Sequence, residues 1–338
     1  VVTNSDMSWR ASSCNGGPST SADDINQSLK LLRVPDHELE RERKVIAYKK
    51  QIWMKDDMEG FRLVDHLENV ADDIVIAFHN QKGIYERRRL PKLSFLPISN
   101  ETLSDDLCDL SEPNVATILH TLSKRFSHSL IHTNCGLFCI VVNPWKNLDI
   151  YSNSIRSLYR LGLSGNLPPH VFNIAQSALN GIACGQKSQS ILITGESGSG
   201  KTENTKRIIE FIVQRNDDKR VLKSDSRVLE FTQLLESFGN AMTVHNENSS
   251  RFGKFIRLFL TREGKLKCAQ VECYLLEKSR VVAQDRGERG FHVFYQLLSS
   301  AMPAQMKQHL HLVAPRYKYL NENPSKTIDD AREMHQTN

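Results

Sequence analysis

The chain has 338 residues, 39% hydrophobic and 25% charged, with a formal net charge of +5. That balance suits a globular chain long enough for one large or two smaller domains, and so small a charge makes no case for nucleic acid as a partner. No apolar run approaches the eighteen residues of a membrane span and no signal peptide is visible, so a cytoplasmic protein without a membrane span is expected.

The seven cysteines are scattered without a C-x-x-C pair, which predicts reduced packing residues rather than metal ligands. Residues 1–35 are rich in Ser, Asn, Asp and Gly and start at Val1 rather than Met, so they read as the flexible leader of a piece of a longer product. From residue 48 to 98 short strand patterns take over: 51–54, 60–64, 73–78 and a return through Ile84 and Tyr85, with 79–83 as a hairpin turn. A small β-barrel is expected there, with Trp53 as a core aromatic rather than a ligand platform. The runs at 41–44 and 86–89 read as solvated basic faces.

After Pro97, helices and strands alternate. A helix opens after Pro113 with Val115, Ile118, Leu119, Leu122 and Phe126 as its apolar face. Residues 136–142 are continuously apolar, the pattern of a strand buried on both faces. Pro168 and Pro169 start a second helix through Val171, Ala175, Ala178, Leu179 and Ile182. Residues 214–226 read as a surface loop and 228–238 as a helix. Apolar stretches 254–260 and 267–274 flank a turn at Arg262-Glu263-Gly264, an antiparallel hairpin, and Phe291, Phe294, Tyr295 and Leu298 mark a further helix. The grammar is α/β, with a parallel or mixed sheet flanked by helices.

The most informative stretch is SILITGESGSGKT, residues 190–202. An apolar strand runs into a glycine-rich turn and a helix start, and Gly195, Gly200, Lys201 and Thr202 fit G-x-x-x-x-G-K-[ST]. Missing side chains at the glycines let backbone N–H groups approach phosphate oxygens, and the helix adds its positive end. Gly195, Glu196, Ser197, Gly198, Ser199, Gly200, Lys201 and Thr202 are therefore candidate nucleotide-binding residues. Lys201 is placed for the β- and γ-phosphates and Thr202 for Mg²⁺. Alone, the loop does not choose among ATPases, GTPases and kinases. A second polar stretch, NENSSRFGK at residues 246–254, packs amides and hydroxyls in front of the hairpin and could supply donors to phosphate, a hydroxyl to Mg²⁺ and a guanidinium.

Taken together, these stretches resemble the myosin motor head. GESGSGKTENTK (195–206) is similar to its phosphate loop, NENSSRFGK to its switch I, and Asn143-Pro144-Trp145-Lys146 through Tyr151 to its adenine-side loop. LLEKSR (275–280) and ERGFHVFY (288–295) match the stretch after the hairpin. The resemblance implies a phosphate-loop NTPase core over 99–338, incomplete here, preceded by an SH3-like barrel over 48–98. It further implies ATP and Mg²⁺ as cofactors, ATPase activity, actin filaments as partner, light chains through a lever arm, and an actin-cytoskeleton location. Residue by residue it places Ser250 as the second Mg²⁺ hydroxyl and Ser249 near the γ-phosphate and the attacking water. Asn246 and Asn248 lie on the phosphate side, and Asn143, Pro144 and Tyr151 border the adenine. Arg251 becomes the partner of a switch II glutamate. Lys201, Ser249, Ser250 and Arg251 form the expected catalytic group.

Some positions depart from the family pattern. Ser199 stands where alanine is usual, Asn147 and Asp149 replace basic and proline residues, and Met242 replaces a lysine. No stretch resembles switch II (Asp-x-x-Gly-x-Glu), so Arg251 is expected to lack its carboxylate and the central strands a neighbour. Weak nucleotide binding and poor hydrolysis by this chain alone are expected. The alternative is a catalytically impaired, myosin-like nucleotide-binding or regulatory fragment.

Overall fold

A computed structural model describes residues 22–41, 50–58, 60–79, 83–99, 103–161, 167–185, 188–213, 222–312, 317, 319–320 and 328–337. Its first element corrects the sequence reading. Helix α1, Ala22–Lys30, lies within the stretch expected to be a flexible leader. Ile25 and Leu29, four residues apart, share one helical face and pack with Leu32 into the main apolar core. Asp23 and Asp24 in the first turn and Lys30 in the last complement the helix dipole. Spacing of a few apolar residues outweighs the polar composition around them. Residues 1–21 of the expected leader lie outside the described residues.

Strands β1 (Gln51–Asp56), β2 (Gly60–Val70), β3 (Asp73–His79), β4 (Tyr85–Pro91) and β5 (Phe95–Leu96) form an antiparallel sheet in the order β4-β3-β2-β1-β5. Among the described residues no ladder joins β4 to β5, so these two are its edges. Val64, Ile76 and Phe78 make the sheet's own core. Residues 80–82 of the expected turn lie outside the described residues, but His79 pairs with Tyr85 as a hairpin requires. Arg87, Arg88 and Arg89 sit on edge strand β4, with Arg89 held to Asp73 at 2.7 Å, a charged edge that discourages further pairing. Trp53 is a core residue, 5% exposed, its ring 5.0 Å from that of His120.

Helix α2, Val115–Ser127, begins as expected, capped by Asn114, but buries a different face. Ala116, Thr117, Thr121 and Arg125 point inward, while Val115, Leu119 and Phe126 are exposed. Arg125 explains the rotation. Its guanidinium donates to the carbonyls of Leu103, Ser104 and His132, to Thr133 Oγ1 and to Asp105, which ties the helix to strand β6 (His132–Cys135) through its polar side. A buried guanidinium needs every donor met, and that requirement outranks the apolar stripe.

Strand β7 (Phe138–Val141) pairs antiparallel with β6 and is not buried on both faces, since Leu137 and Phe138 are 94% and 74% exposed. Helices α3 (Asn153–Arg160), α4 (Val171–Ala183) and α5 (Lys201–Val213) surround the largest core, where Phe172 stacks on Phe211 at 4.7 Å beside Tyr159, Leu179 and Ile208. Val141, Ile191, Ile193, Leu258 and Leu260 line that same core, so three strand-like segments share one layer under the helices. The expected mixed central sheet is present only in pieces, because these segments make no ladder with one another among the described residues. The strand expected over 190–194 is not formed: the segment carries no strand ladder, and Leu192 is 88% exposed.

Helix α6, Leu222–Gly239, starts earlier than expected, so 222–226 is helix rather than loop, and 214–221 lies outside the described residues. Short strands β8 (Asn240–Ala241) and β9 (Ser249–Ser250) pair antiparallel, and β10 (Gly253–Leu260) with β11 (Leu266–Tyr274) makes the expected hairpin. Helix α7 (His292–Leu298) follows, then α8 (Ala304–His309) and α9 (Asp330–Thr337). Arg289, fully buried before α7, clasps Asp330 of α9 through two nitrogens at 2.7 and 3.0 Å. Among the described residues the cysteines are free and exposed or half-buried rather than core residues, no group of His, Cys, Asp and Glu could hold a metal, and no helix is long and apolar enough to cross a membrane.

Candidate functional site

Residues 195–200 turn sharply between the 190–194 segment and α5, which starts at Lys201. Three glycines at positive φ make that path possible, Gly200 (+91°) among them. Gly195 has φ +152°, and a Cβ there would lie 2.5 Å from Ser199 Oγ. Gly198 has φ +80° and passes within van der Waals reach of the Trp145 ring. Side chains brace the turn from outside. Asn143 Nδ2 donates to Gly198 O at 2.7 Å and Asn204 Nδ2 to Gly200 O at 2.9 Å. Lys201 curls back so that Nζ donates to Gly195 O and Glu196 O at 2.7 and 2.8 Å, which holds its ammonium inside the loop at the positive end of α5. Backbone amides, helix end and ammonium together make an anion cradle.

The second polar stretch folds onto this cradle. β8–β9 pairing fixes Ser249 and Ser250, and a Thr243–Asn246 turn closes the loop between them. Ser249 is buried and its hydroxyl lies 2.8 Å from Ser197 Oγ of the cradle. Ser250 Oγ lies 3.5 Å from Thr202 Oγ1. Adjacent ligands of an octahedral Mg²⁺ stand about 3 Å apart, so these two hydroxyls fit neighbouring positions on one ion after a small closure. Magnesium commonly takes few protein ligands and completes its shell with phosphate and water, which agrees with a site built on hydroxyls rather than on a carboxylate cluster.

Arg251, expected to be without a switch II glutamate, meets a different carboxylate: Nε donates to Glu277 Oε2 at 2.6 Å and NH1 to Ser249 Oγ at 3.1 Å. Glu277 also receives Arg280 Nε at 2.8 Å, and its backbone N–H donates to Arg251 O at 3.0 Å. Hydrogen bonds from Arg280, and then from Arg251, hold the Glu277 carboxyl below its ordinary value against the opposing effect of burial. The pairing partner comes from the segment that follows the β10–β11 hairpin, 26 residues further along the chain.

The remaining expected residues divide. Asn143 and Asn246 lie at the cradle, with Asn246 Nδ2 within 3.8 Å of where a Gly198 Cβ would stand. Asn248 braces the second loop from within, its Oδ1 taking Asn240 Nδ2 at 2.9 Å. Glu196 contributes its carbonyl to Lys201 while its side chain is exposed. Pro144 is half-buried between Asn143 and Trp145. Tyr151 is half-buried among His132, His170 and Phe172, with the Arg207 guanidinium 4.8 Å from its ring centre. Burial pushes its hydroxyl up to about 12, so it stays neutral.

Two further residues carry weight that sequence reading had not assigned. Trp145, 73% exposed at φ +51°, stands against Gly198 where the adenine-side loop meets the cradle. Glu236, nearly buried in α6, joins the two loops from behind: Lys206 and Lys254, the last residues of the two motifs, each reach one of its oxygens at 3.2 Å. The shared lysine ending of both motifs was the available signal, but a carboxylate between them is visible only once the chain is folded.

The geometry can be set beside known proteins. The family model for the myosin head (motor domain) matches residues 104–338. A non-muscle myosin-2 heavy chain of Acanthamoeba castellanii is 46% identical over 227 residues, which is 67% of this chain and 15% of that protein. The chain thus spans a small part of the length of the curated relative it matches.

Proposed function

The chain belongs to the myosin head family, and from that premise we propose that it forms the nucleotide-binding part of an actin-based motor that hydrolyses Mg-ATP. One observation carries the reading. Two loops separated by some fifty residues of chain set Ser197 against Ser249 and Thr202 against Ser250, hydroxyl to hydroxyl. In this reading the amides of 196–200 and the Lys201 ammonium bind the β- and γ-phosphates, while Thr202 and Ser250 hold Mg²⁺. Bound Mg²⁺ neutralises phosphate charge. Ser249, fixed by Arg251, orients the attacking water, and Asn246 adds a phosphate contact. Asn143, Pro144, Tyr151 and the exposed Trp145 face border the base. Catalysis of this type rests on positioning and electrostatics.

The five-stranded sheet at 51–96 is read as the SH3-like module and 99–338 as the ATPase core, with α1 and Leu32 packed into the main apolar core. Binding to actin filaments, association with light chains through a lever arm and residence in the cytoplasmic actin cytoskeleton belong to the motor as a whole and are proposed for it on the family's strength. A second reading is favoured by one observation: Leu192 and Phe138 leave the strands beneath the cradle bare on one face. In that reading the chain binds nucleotide but turns it over poorly. Titration with a fluorescent ATP analogue and Mg²⁺, followed by a phosphate-release assay, separates the two. Lys201→Ala should weaken binding about a hundredfold, since it removes a charge-assisted contact to phosphate. Unchanged affinity in that variant would overturn both readings.

A further inference from the structure

We propose that Glu277 is a positioning residue for the nucleotide site, holding Arg251, and through it Ser249, against the phosphate loop. This rests on the nucleotide reading above and adds a residue to it. The contacts form one continuous relay. Arg280, 5% exposed, is itself fixed by Glu288 at 2.8 Å and by the carbonyl of Arg289 at 3.3 Å. From that anchor Arg280 Nε and NH2 grip the two oxygens of Glu277 at 2.8 and 3.2 Å. Glu277 Oε2 takes Arg251 Nε at 2.6 Å, Arg251 NH1 reaches Ser249 Oγ at 3.1 Å, and Ser249 Oγ lies 2.8 Å from Ser197 Oγ. The main chain supports the same link, with Glu277 N–H donating to Arg251 O.

Each step of the relay has a physical purpose. A guanidinium presents its donors in a fixed plane, so gripping Nε from one side determines where NH1 points on the other. Ser249 is a buried hydroxyl whose rotor is set by its partners, and without Arg251 it has, among the described residues, Ser197 alone to orient it. Glu277 therefore acts at a distance: its side chain bonds to Arg251 and Arg280, and through Arg251 it fixes Ser249, which meets the phosphate loop at Ser197. The relay also couples the stretch after the β10–β11 hairpin to the second loop, so motion at 277–280 is felt at Ser249.

The test compares the 338-residue chain with Glu277→Gln, Arg251→Lys and the double variant, in a Trp9→Phe, Trp53→Phe background that leaves Trp145 as the only tryptophan. The readouts are Trp145 fluorescence on titration with Mg-ATP and amide exchange over 246–252. Glu277→Gln should lower affinity about tenfold and speed exchange in 246–252. Arg251→Lys, which keeps the charge but cannot bridge Glu277 and Ser249 in one plane, should do the same, and the double variant should lose no more than either single. If Glu277→Gln fails to fold, Arg251→Lys carries the test, and affinity unchanged there overturns the inference. It is likewise overturned if the unaltered chain binds while Glu277→Gln matches it, or if the two losses multiply. No binding by the unaltered chain overturns the nucleotide reading itself, a result distinct from these.

Discussion

The two layers of this site are finished to different degrees. In the upper layer polar groups close on one another: Asn143 on Gly198, Ser249 on Ser197, Arg251 on Glu277, and Lys206 with Lys254 on Glu236. In the layer beneath, the segments that carry those loops meet the helical core through Val141, Ile191 and Ile193, while Phe138 and Leu192 are largely exposed. The difference teaches that directional contacts between loops can assemble a cradle locally, whereas a sheet completes itself only when a neighbour supplies both ladder and apolar cover. A site and its support are separate achievements of the fold.

That contrast can be pressed experimentally. The greatest loss is expected on the covered side of the lower layer. Phe172→Ala, at a ring with no exposed surface stacked on Phe211, should cost about 3–5 kcal/mol in a urea melt. A cost below 1 kcal/mol would show that the helical core is as loose as the bare face.

Acid should act on that core through His132 and His170, and on the separate cluster around α7 through His292. Burial, reinforced by Arg125, depresses His132 to about 3; burial, reinforced by Arg289, depresses His292 to about 4; and burial with His132 alongside takes His170 well below its ordinary value. The folded chain keeps these rings neutral while the unfolded chain protonates them near 6.5. Their contribution is therefore complete above about pH 6.5 and is lost as pH falls from there toward 4 and 3. At pH 5 His132 and His292 should each cost about 2 kcal/mol relative to neutral pH, and His170 should act in the same direction. Denaturant midpoints at pH 7.5 and 5 check the sign, and a midpoint that rose at pH 5 would contradict it.

The smallest effect should come from the bare face. Leu192→Ser, at a side chain already 88% in solvent, should shift stability by no more than about 0.5 kcal/mol, and by sedimentation it should reduce self-association if any occurs. A cost of 2 kcal/mol or more would mean that this face is covered in solution.

Much of the site could be read before folding because its chemistry is written in neighbouring residues. Glycines whose φ is positive, a lysine following the turn and a run of amides and hydroxyls announce an anion cradle and its lid wherever they occur. The hairpin at 253–274 and the helix after Pro169 were legible for the same local reason. Helix α1 was missed because composition was weighed above the spacing of Ile25, Leu29 and Leu32. The buried face of α2 was missed because one guanidinium, Arg125, turned the helix toward its polar side.

What the amino-acid order determined by itself was the local chemistry: which loop has the residues of a phosphate cradle, which hydroxyls can face a metal, and which family the chain belongs to. Only tertiary structure could decide which carboxylate meets which cation. Glu277 lies 26 positions from Arg251, and Glu236 lies 30 from Lys206 and 18 from Lys254. Turn and helix geometry acts over a few residues, so it specifies the cradle. Pairings at longer separation depend on how whole elements pack, and no local pattern carries that information.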